Sequence, residues 1–240
     1  YIDYAQAVPL KYAIDPDQCI YIKKKRCKLC EKICPTGAID FEEPKTQSKL
    51  NVGAVILTLG SQAYDPGVRD TFGYNKSKNI VTNLEFERII SASGPYEGHL
   101  VRPIDKEKPK KIAWLQCIGS RDEHEGANSY CSASCCTISI KNAILAKEHI
   151  KDLDAAIFYI DIRTYGKDLE RYYNYAKNDI GVRFIKSKVT TIDPINADGN
   201  HTLRYIDAFG QTMEEEFDMV VLSVGLEIPE KSKSFARSLD

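Results

Sequence analysis

The stretch Lys111-Ile112-Ala113-Trp114-Leu115-Gln116-Cys117-Ile118-Gly119-Ser120-Arg121 decides the fold. Ile112 to Gln116 is short and largely apolar, as a strand buried on both faces of a parallel sheet must be. Ser134 to Ile150 then has helical spacing, with Ile140, Ala143 and Ile144 on one side. Ala155 to Ile162 reads as a second strand and Lys167 to Lys177 as a second helix, with Gly181 as a stop signal. Val182 to Ile185 is a third strand. Thr202 to Ile206 and Met213 to Phe217 form a hairpin about Phe209-Gly210, and Phe217 to Val224 is a last buried strand ending at Gly225. This βαβαβ order with a returning strand predicts an α/β, Rossmann-like, doubly wound domain over 109–240.

A dinucleotide domain carries a glycine fingerprint between its first strand and first helix, where the helix N-terminus receives pyrophosphate. Here that place holds Cys117, Cys131, Cys135 and Cys136, with only Gly119 and Gly126 nearby. The helix end still offers free amides and partial positive charge. An anionic four-thiolate iron–sulfur cube replacing the dinucleotide suits the same electrostatics. Structural zinc, a reactive Cys135/Cys136 thiol and buried unligated cysteines are the alternatives.

The other four of the eight cysteines are Cys19, Cys27, Cys30 and Cys34, with Pro35 directly after. The spacing Cys27-x2-Cys30-x3-Cys34-Pro35 matches a bacterial ferredoxin run without its first position, which Cys19 can supply. Two intervening residues let a tight turn aim two sulfurs at one cube, and the proline turns the chain away. Structural zinc is the rival here as well. Lys23, Lys24, Lys25, Arg26, Lys28 and Lys32 surround the run. They form a solvated face or, alternatively, steer an acidic redox partner. Disulfides fit poorly, because Cys135 and Cys136 are adjacent and the chain lacks the small secreted format. A reducing, anaerobic cytoplasm suits the thiols.

Outside these groups, 1–45 reads as a small ferredoxin-like insert and Glu42 to Lys49 as a linker. Val52 to Leu59 is a continuous apolar run, read as a buried parallel strand ending at Gly60. Residues 61–82 read as loop, followed by a short helix, Leu84 to Ala92, capped by Asn83. A formal net charge of −1 gives no global field directed at nucleic acid, and no apolar run approaches the roughly 20 residues needed to span a bilayer. The chain opens on Tyr1 and reads as a piece of something longer. Arg163 reads as a surface or cluster-side charge and Asp218 as a turn residue. The four histidines form no metal or triad spacing.

Several stretches resemble one family. They are Asn83-Leu84-Glu85-Phe86-Glu87-Arg88, Ser91-Ala92-Ser93-Gly94-Pro95, His99-Leu100-Val101-Arg102-Pro103, Gln116-Cys117-Ile118-Gly119-Ser120-Arg121-Asp122, Tyr130-Cys131-x3-Cys135-Cys136 and Phe217-Asp218-Met219-Val220-Val221-Leu222-Ser223-Val224-Gly225-Leu226. All resemble the A-subunit of heterodisulfide reductase. The resemblance implies a thioredoxin-reductase-like iron–sulfur flavoprotein, with an FAD domain, a second Rossmann-like domain and ferredoxin modules. It implies electron bifurcation at flavin, with 4Fe-4S clusters on the two cysteine groups. The partners it implies are other heterodisulfide-reductase subunits, a hydrogenase or formate dehydrogenase, and ferredoxin. It places 46–108 in the end of an FAD domain and its connection. Thr58 and Gly60 then lie on a flavin-contact strand and Gly225 near the isoalloxazine. The family's first FAD strand should precede residue 1, so other polypeptide would complete that site. A zinc-stabilised scaffold and a thiol/disulfide oxidoreductase using Cys135/Cys136 are the alternative functions.

Overall fold

The computed structural model describes residues 12–44, 47–193 and 199–239. The first part of the 1–45 unit and the middle of the Glu42 to Lys49 linker lie outside them. The chain divides into two compact units, Tyr1–Leu57 and Thr58–Asp240.

The first unit carries two short helices, α1 (Ile20–Lys24) and α2 (Leu29–Ile33), and none of its described residues is buried. Its local packing is the tilted pair Tyr21–Phe41, with ring centroids 4.6 Å apart, and Lys28 Nζ 4.8 Å from the Tyr21 centroid. So small a unit without an apolar core needs another source of cohesion, and a metal centre is the usual one.

The second unit begins with β1 (Gln62–Ala63), the 3-10 turn Pro66–Arg69, β2 (Ile80–Thr82) and α3 (Asn83–Ile90). Then come β3 (Lys111–Ile118), α4 (Cys135–His149), β4 (Asp154–Tyr159), α5 (Leu169–Asn178) and β5 (Arg183–Lys186). The hairpin β6 (His201–Ile206) and β7 (Thr212–Phe217) leads into β8 (Met219–Val224), β9 (Leu226–Glu227) and α6 (Glu230–Arg237). Five strands form a parallel sheet in the order β2-β8-β3-β4-β5. From β3 the chain winds outward through β4 and β5, then returns to place β8 on the other side of β3. The gap between the C-terminal ends of β3 and β8 is therefore a topological switch point, where open α/β sheets hold their ligands.

Strand alternation divides the core in two. Ile112, Trp114, Met219 and Val221 point toward Phe86, Ile140 and Ile144 on the helical face. Ala113, Leu115, Val220 and Leu222 point toward Leu203 and Phe217 of the hairpin. Trp114 meets Phe86 edge-on at 5.5 Å, and both rings are fully buried.

Four sequence expectations need correction. Val52 to Leu59 is not a strand: it is irregular, and Val55 and Ile56 are 71% and 88% exposed. A buried parallel strand needs neighbours on both edges, and the described residues provide none for it. The loop expected at 61–82 contains β2, which adds Ile80–Thr82 in parallel to β8. The cap of α3 is Thr82, not Asn83. Thr82 Oγ1 accepts from the Glu85 N–H at 3.2 Å and Glu85 accepts from the Thr82 N–H at 2.7 Å, a capping box. Asn83 instead turns inward, its Oδ1 accepting from the Val224 N–H at 3.1 Å. Asp218 is likewise more than a turn residue, since its carboxylate accepts from the Lys110 and Lys111 N–H groups and anchors the start of β3.

Candidate metal centre

The second cysteine group assembles at the switch point. β3 is regular against β8 as far as Leu115, and the register then shifts before Ile118. Cys117 lies in that irregularity with φ +64, a conformation that re-aims its side chain out of the strand. Gly119 at φ +71 and Arg121 at φ +55 continue the turn, and Ala133 at φ +57 precedes the helix. Non-glycine residues rarely hold this conformation, and they cluster where a site over-determines the backbone. The Arg121 N–H donates to Tyr130 O at 3.0 Å and the Asn128 N–H to Gly119 O at 3.1 Å, so the 117–131 loop folds back and brings Cys131 alongside.

Cys135 and Cys136 open α4 and are buried, at 6% and 7% exposure. Cys135 Sγ lies 3.4 Å from Val224 O and Cys136 Sγ 3.9 Å from Asp161 O. The first helical turn thus sends its two sulfurs toward the ends of β8 and β4. No side chain caps this helix end.

Burial pushes the Cys135 thiol up to about 12, and Cys117, Cys136 and Cys131 add to the effect in that order. Burial raises Cys117 as well, followed by the nearby Cys136, while Arg121 pulls the other way. Burial also raises Cys136, partly offset by the Arg163 backbone N–H. Each of these three thiols is thus within electrostatic range of others in the group. Yet no three His, Cys, Asp or Glu side chains among the described residues come close enough to hold one metal ion. The donor set of four thiols around a helix N-terminus fits a polynuclear cluster.

A helix-activated thiol was one expectation for Cys135 and Cys136. The structure gives the opposite direction, because loss of water around the sulfur outweighs the helix end.

In the first unit Cys19 precedes α1, Cys30 lies within α2 and Cys34 follows it. Cys27 and Lys28 have φ +95 and +91. The Cys34 thiol is lowered to about 7 by the Thr36 hydroxyl, 3.5 Å away, and by the Ala38, Thr36 and Gly37 N–H groups. Inward-turned amides of this kind form an anion-binding hollow. The two groups therefore react differently once free of metal. At about pH 8, iodoacetamide is expected to label Cys34 first and to leave Cys135 unmodified until denaturation, because only the thiolate attacks. Peptide mapping of the time course checks this, and early labelling of Cys135 would contradict its burial.

Thr58 and Gly60 are exposed and irregular, just ahead of β1. β1 pairs with β9 in antiparallel register, Ala63 opposite Leu226, and the Tyr64 N–H donates to Gly225 O at 2.9 Å. Gly225 is part of the cysteine site's wall. Its N–H donates to Ile118 O at 2.8 Å, and a Cβ there would overlap the Ser120 hydroxyl and stand 2.8 Å from that of Ser132. Ser120 and Ser132 are themselves hydrogen-bonded at 2.8 Å, and Ser132 accepts from the Leu226 N–H at 2.8 Å. These two serines, Tyr64 and Asp161 escaped the sequence reading. Ser132 had a visible signal in its place between Cys131 and Cys135.

The fold and the loop define an α/β, Rossmann-like unit whose switch point is flanked by a cysteine-bearing loop and the cysteine-bearing start of a helix. No family model matches the chain. Among curated proteins it is 40% identical, over all of its 240 residues and 35% of the relative, to the A-subunit of the H(2):CoB-CoM heterodisulfide,ferredoxin reductase of Methanothermobacter thermautotrophicus. It is 41% identical, over 94% of its length and 34% of the relative, to the iron-sulfur A-subunit of the CoB--CoM heterodisulfide reductase of Methanocaldococcus jannaschii. Among solved structures, T. acidophilum thioredoxin reductase aligns at 17% identity and a TM-score of 0.38, covering 72% of this chain and 44% of that one. The chain belongs to the heterodisulfide reductase A-subunit family and spans about a third of the length of the curated relatives it matches.

Proposed function

We propose that this chain is an electron-transfer segment of an iron–sulfur flavoprotein oxidoreductase within an electron-bifurcating, heterodisulfide-reductase-type complex. One observation supports the reading: Cys117, Cys131 and Cys136 are all within electrostatic range of Cys135, which opens an uncapped helix at the switch point of a parallel sheet. In the proposal one 4Fe-4S cluster rests on Cys117, Cys131, Cys135 and Cys136, and another on Cys19, Cys27, Cys30 and Cys34. Such a cluster passes single electrons. Cys117 and Cys131 hold it from the loop, Cys135 and Cys136 from the helix, and the free amides of α4 offset its charge. Burial of Cys135 and Cys136 limits water around it, and the Ser120–Ser132 pair fixes the loop against Gly225.

The insert over 1–45, the FAD-domain part over 46–108 and the Rossmann-like part over 109–240 belong to the same proposal. FAD would touch Thr58, Gly60 and Gly225, with other polypeptide completing its site. The partners would be further heterodisulfide-reductase subunits, a hydrogenase or formate dehydrogenase, and ferredoxin, in a reducing cytoplasm. Among the described residues no helix is long and apolar enough to cross a membrane. A zinc scaffold is the rival reading, since four thiolates also suit one tetrahedral zinc. Anaerobic metal and sulfide analysis separates the readings: two cubes give about eight irons with equal sulfide for these residues, whereas zinc without sulfide would overturn the proposal.

A further inference from the structure

Three charged side chains stand beside the Cys117 group and take no part in the sheet or the core. The Arg121 guanidinium is ion-paired with the Asp161 carboxylate, and Arg163 Nη2 reaches the same carboxylate at 3.1 Å. Arg121 lies four residues beyond Cys117 on the same loop. Its backbone N–H is bonded to Tyr130 O, next to Cys131. Asp161 O is the neighbour of Cys136 Sγ. Arg121 thus ties the loop after β3 to the segment after β4. It keeps a left-handed backbone at φ +55, and its side chain is only 21% exposed. A side chain held partly desolvated in a costly conformation beside four sulfurs needs a reason of its own.

Resting on the cluster reading above, we infer that Arg121 sets the reduction potential of the cluster held by the Cys117 group, and that Asp161 positions Arg121 while opposing its charge. Reduction adds one electron from a one-electron donor such as reduced ferredoxin. No bond forms or breaks and no proton moves, so the reduced cluster carries one more negative charge. A nearby guanidinium favours that form and a nearby carboxylate disfavours it. Arg121 is 21% exposed and the Asp161 carboxylate 45%, so solvent screens Asp161 more and the larger effect is expected from Arg121.

The test uses the complete native protein, purified anaerobically, with redox titration followed by electron paramagnetic resonance. The relevant signal is the one abolished by Cys135→Ser. Arg121→Gln is expected to lower the reduced-to-oxidised ratio about tenfold at a fixed applied potential, a shift of about 59 mV downward for a one-electron couple. Asp161→Asn is expected to shift the midpoint upward, and Arg121→Lys to stay near wild type. A merely structural role would not give opposite signs. Unchanged midpoints in Arg121→Gln and Asp161→Asn, with iron retained, overturn the inference and leave the cluster reading intact. Failure of Cys135→Ser to remove any iron or signal overturns the cluster reading instead. Should Arg121→Gln shed its iron, Asp161→Asn decides alone, and a midpoint that does not rise sinks the inference.

Discussion

Cys135→Ser is expected to remove about four irons per chain, with a matching loss of sulfide, while the α/β unit stays folded. Cys135 sits in the first turn of α4 at 6% exposure, and its Sγ lies 3.4 Å from Val224 O. Serine is nearly isosteric, and its hydroxyl can still donate to that carbonyl, so little packing is lost. The soft thiolate proposed as an iron ligand is lost entirely. The same substitution at Cys34 should remove the iron of the cluster proposed for the first cysteine group and spare this one. Far-ultraviolet circular dichroism separates loss of ligand from loss of fold. A folded Cys135→Ser protein with its full iron complement would end the assignment of this group.

Gly119→Ala should be the most damaging single methyl group near the site. Gly119 holds φ +71, and a Cβ there would overlap the Tyr64 ring. The backbone conformation costs an L residue about 1–2 kcal/mol, and forcing an atom into a packed contact about 1–3 kcal/mol more. A loss of roughly 2–5 kcal/mol lowers the melting temperature of a unit this size by roughly 5–15 °C. Tyr64 is buried and its backbone N–H holds Gly225 O, so the ring cannot swing away without disturbing β1. Calorimetry of the metal-free protein measures the loss, and pairing the change with Tyr64→Ala should recover the steric part. A melting temperature within a degree or two of the parent would show that the close approach is not real.

Much of this architecture was legible in the sequence because periodicity and punctuation agreed. From Lys111 to Val224 each strand and helix lies within a few residues of its expected bounds, since each buried run is closed by a glycine or a polar turn, whereas β9 and α6 (Glu230–Arg237) had no counterpart in the sequence reading. The cysteine positions were legible for the same reason: they fall between the first strand and its helix. β2 was not, because three residues inside a polar stretch have no period of their own, and only the edge of β8 makes Ile80–Thr82 a strand. Val52 to Leu59 misled in the opposite way, since an apolar run says that a segment would pair without saying with what. Left-handed Cys117 and the Arg121–Asp161 ion pair are tertiary facts. They depend on two strand ends about 40 residues apart in sequence, which no local pattern encodes.

The Asn83 side chain has a practical meaning for anyone dissecting this polypeptide. By gripping the Val224 amide it sews the segment ahead of β3 to β8, the strand beside Ile80–Thr82. A truncation beginning at residue 109 would strip β8 of that neighbour and take Phe86 from the Trp114 ring. The loop and helix start that carry Cys117, Cys131, Cys135 and Cys136 would then hang from a frayed margin, so a recombinant piece meant to load iron should keep everything from Thr58 onward.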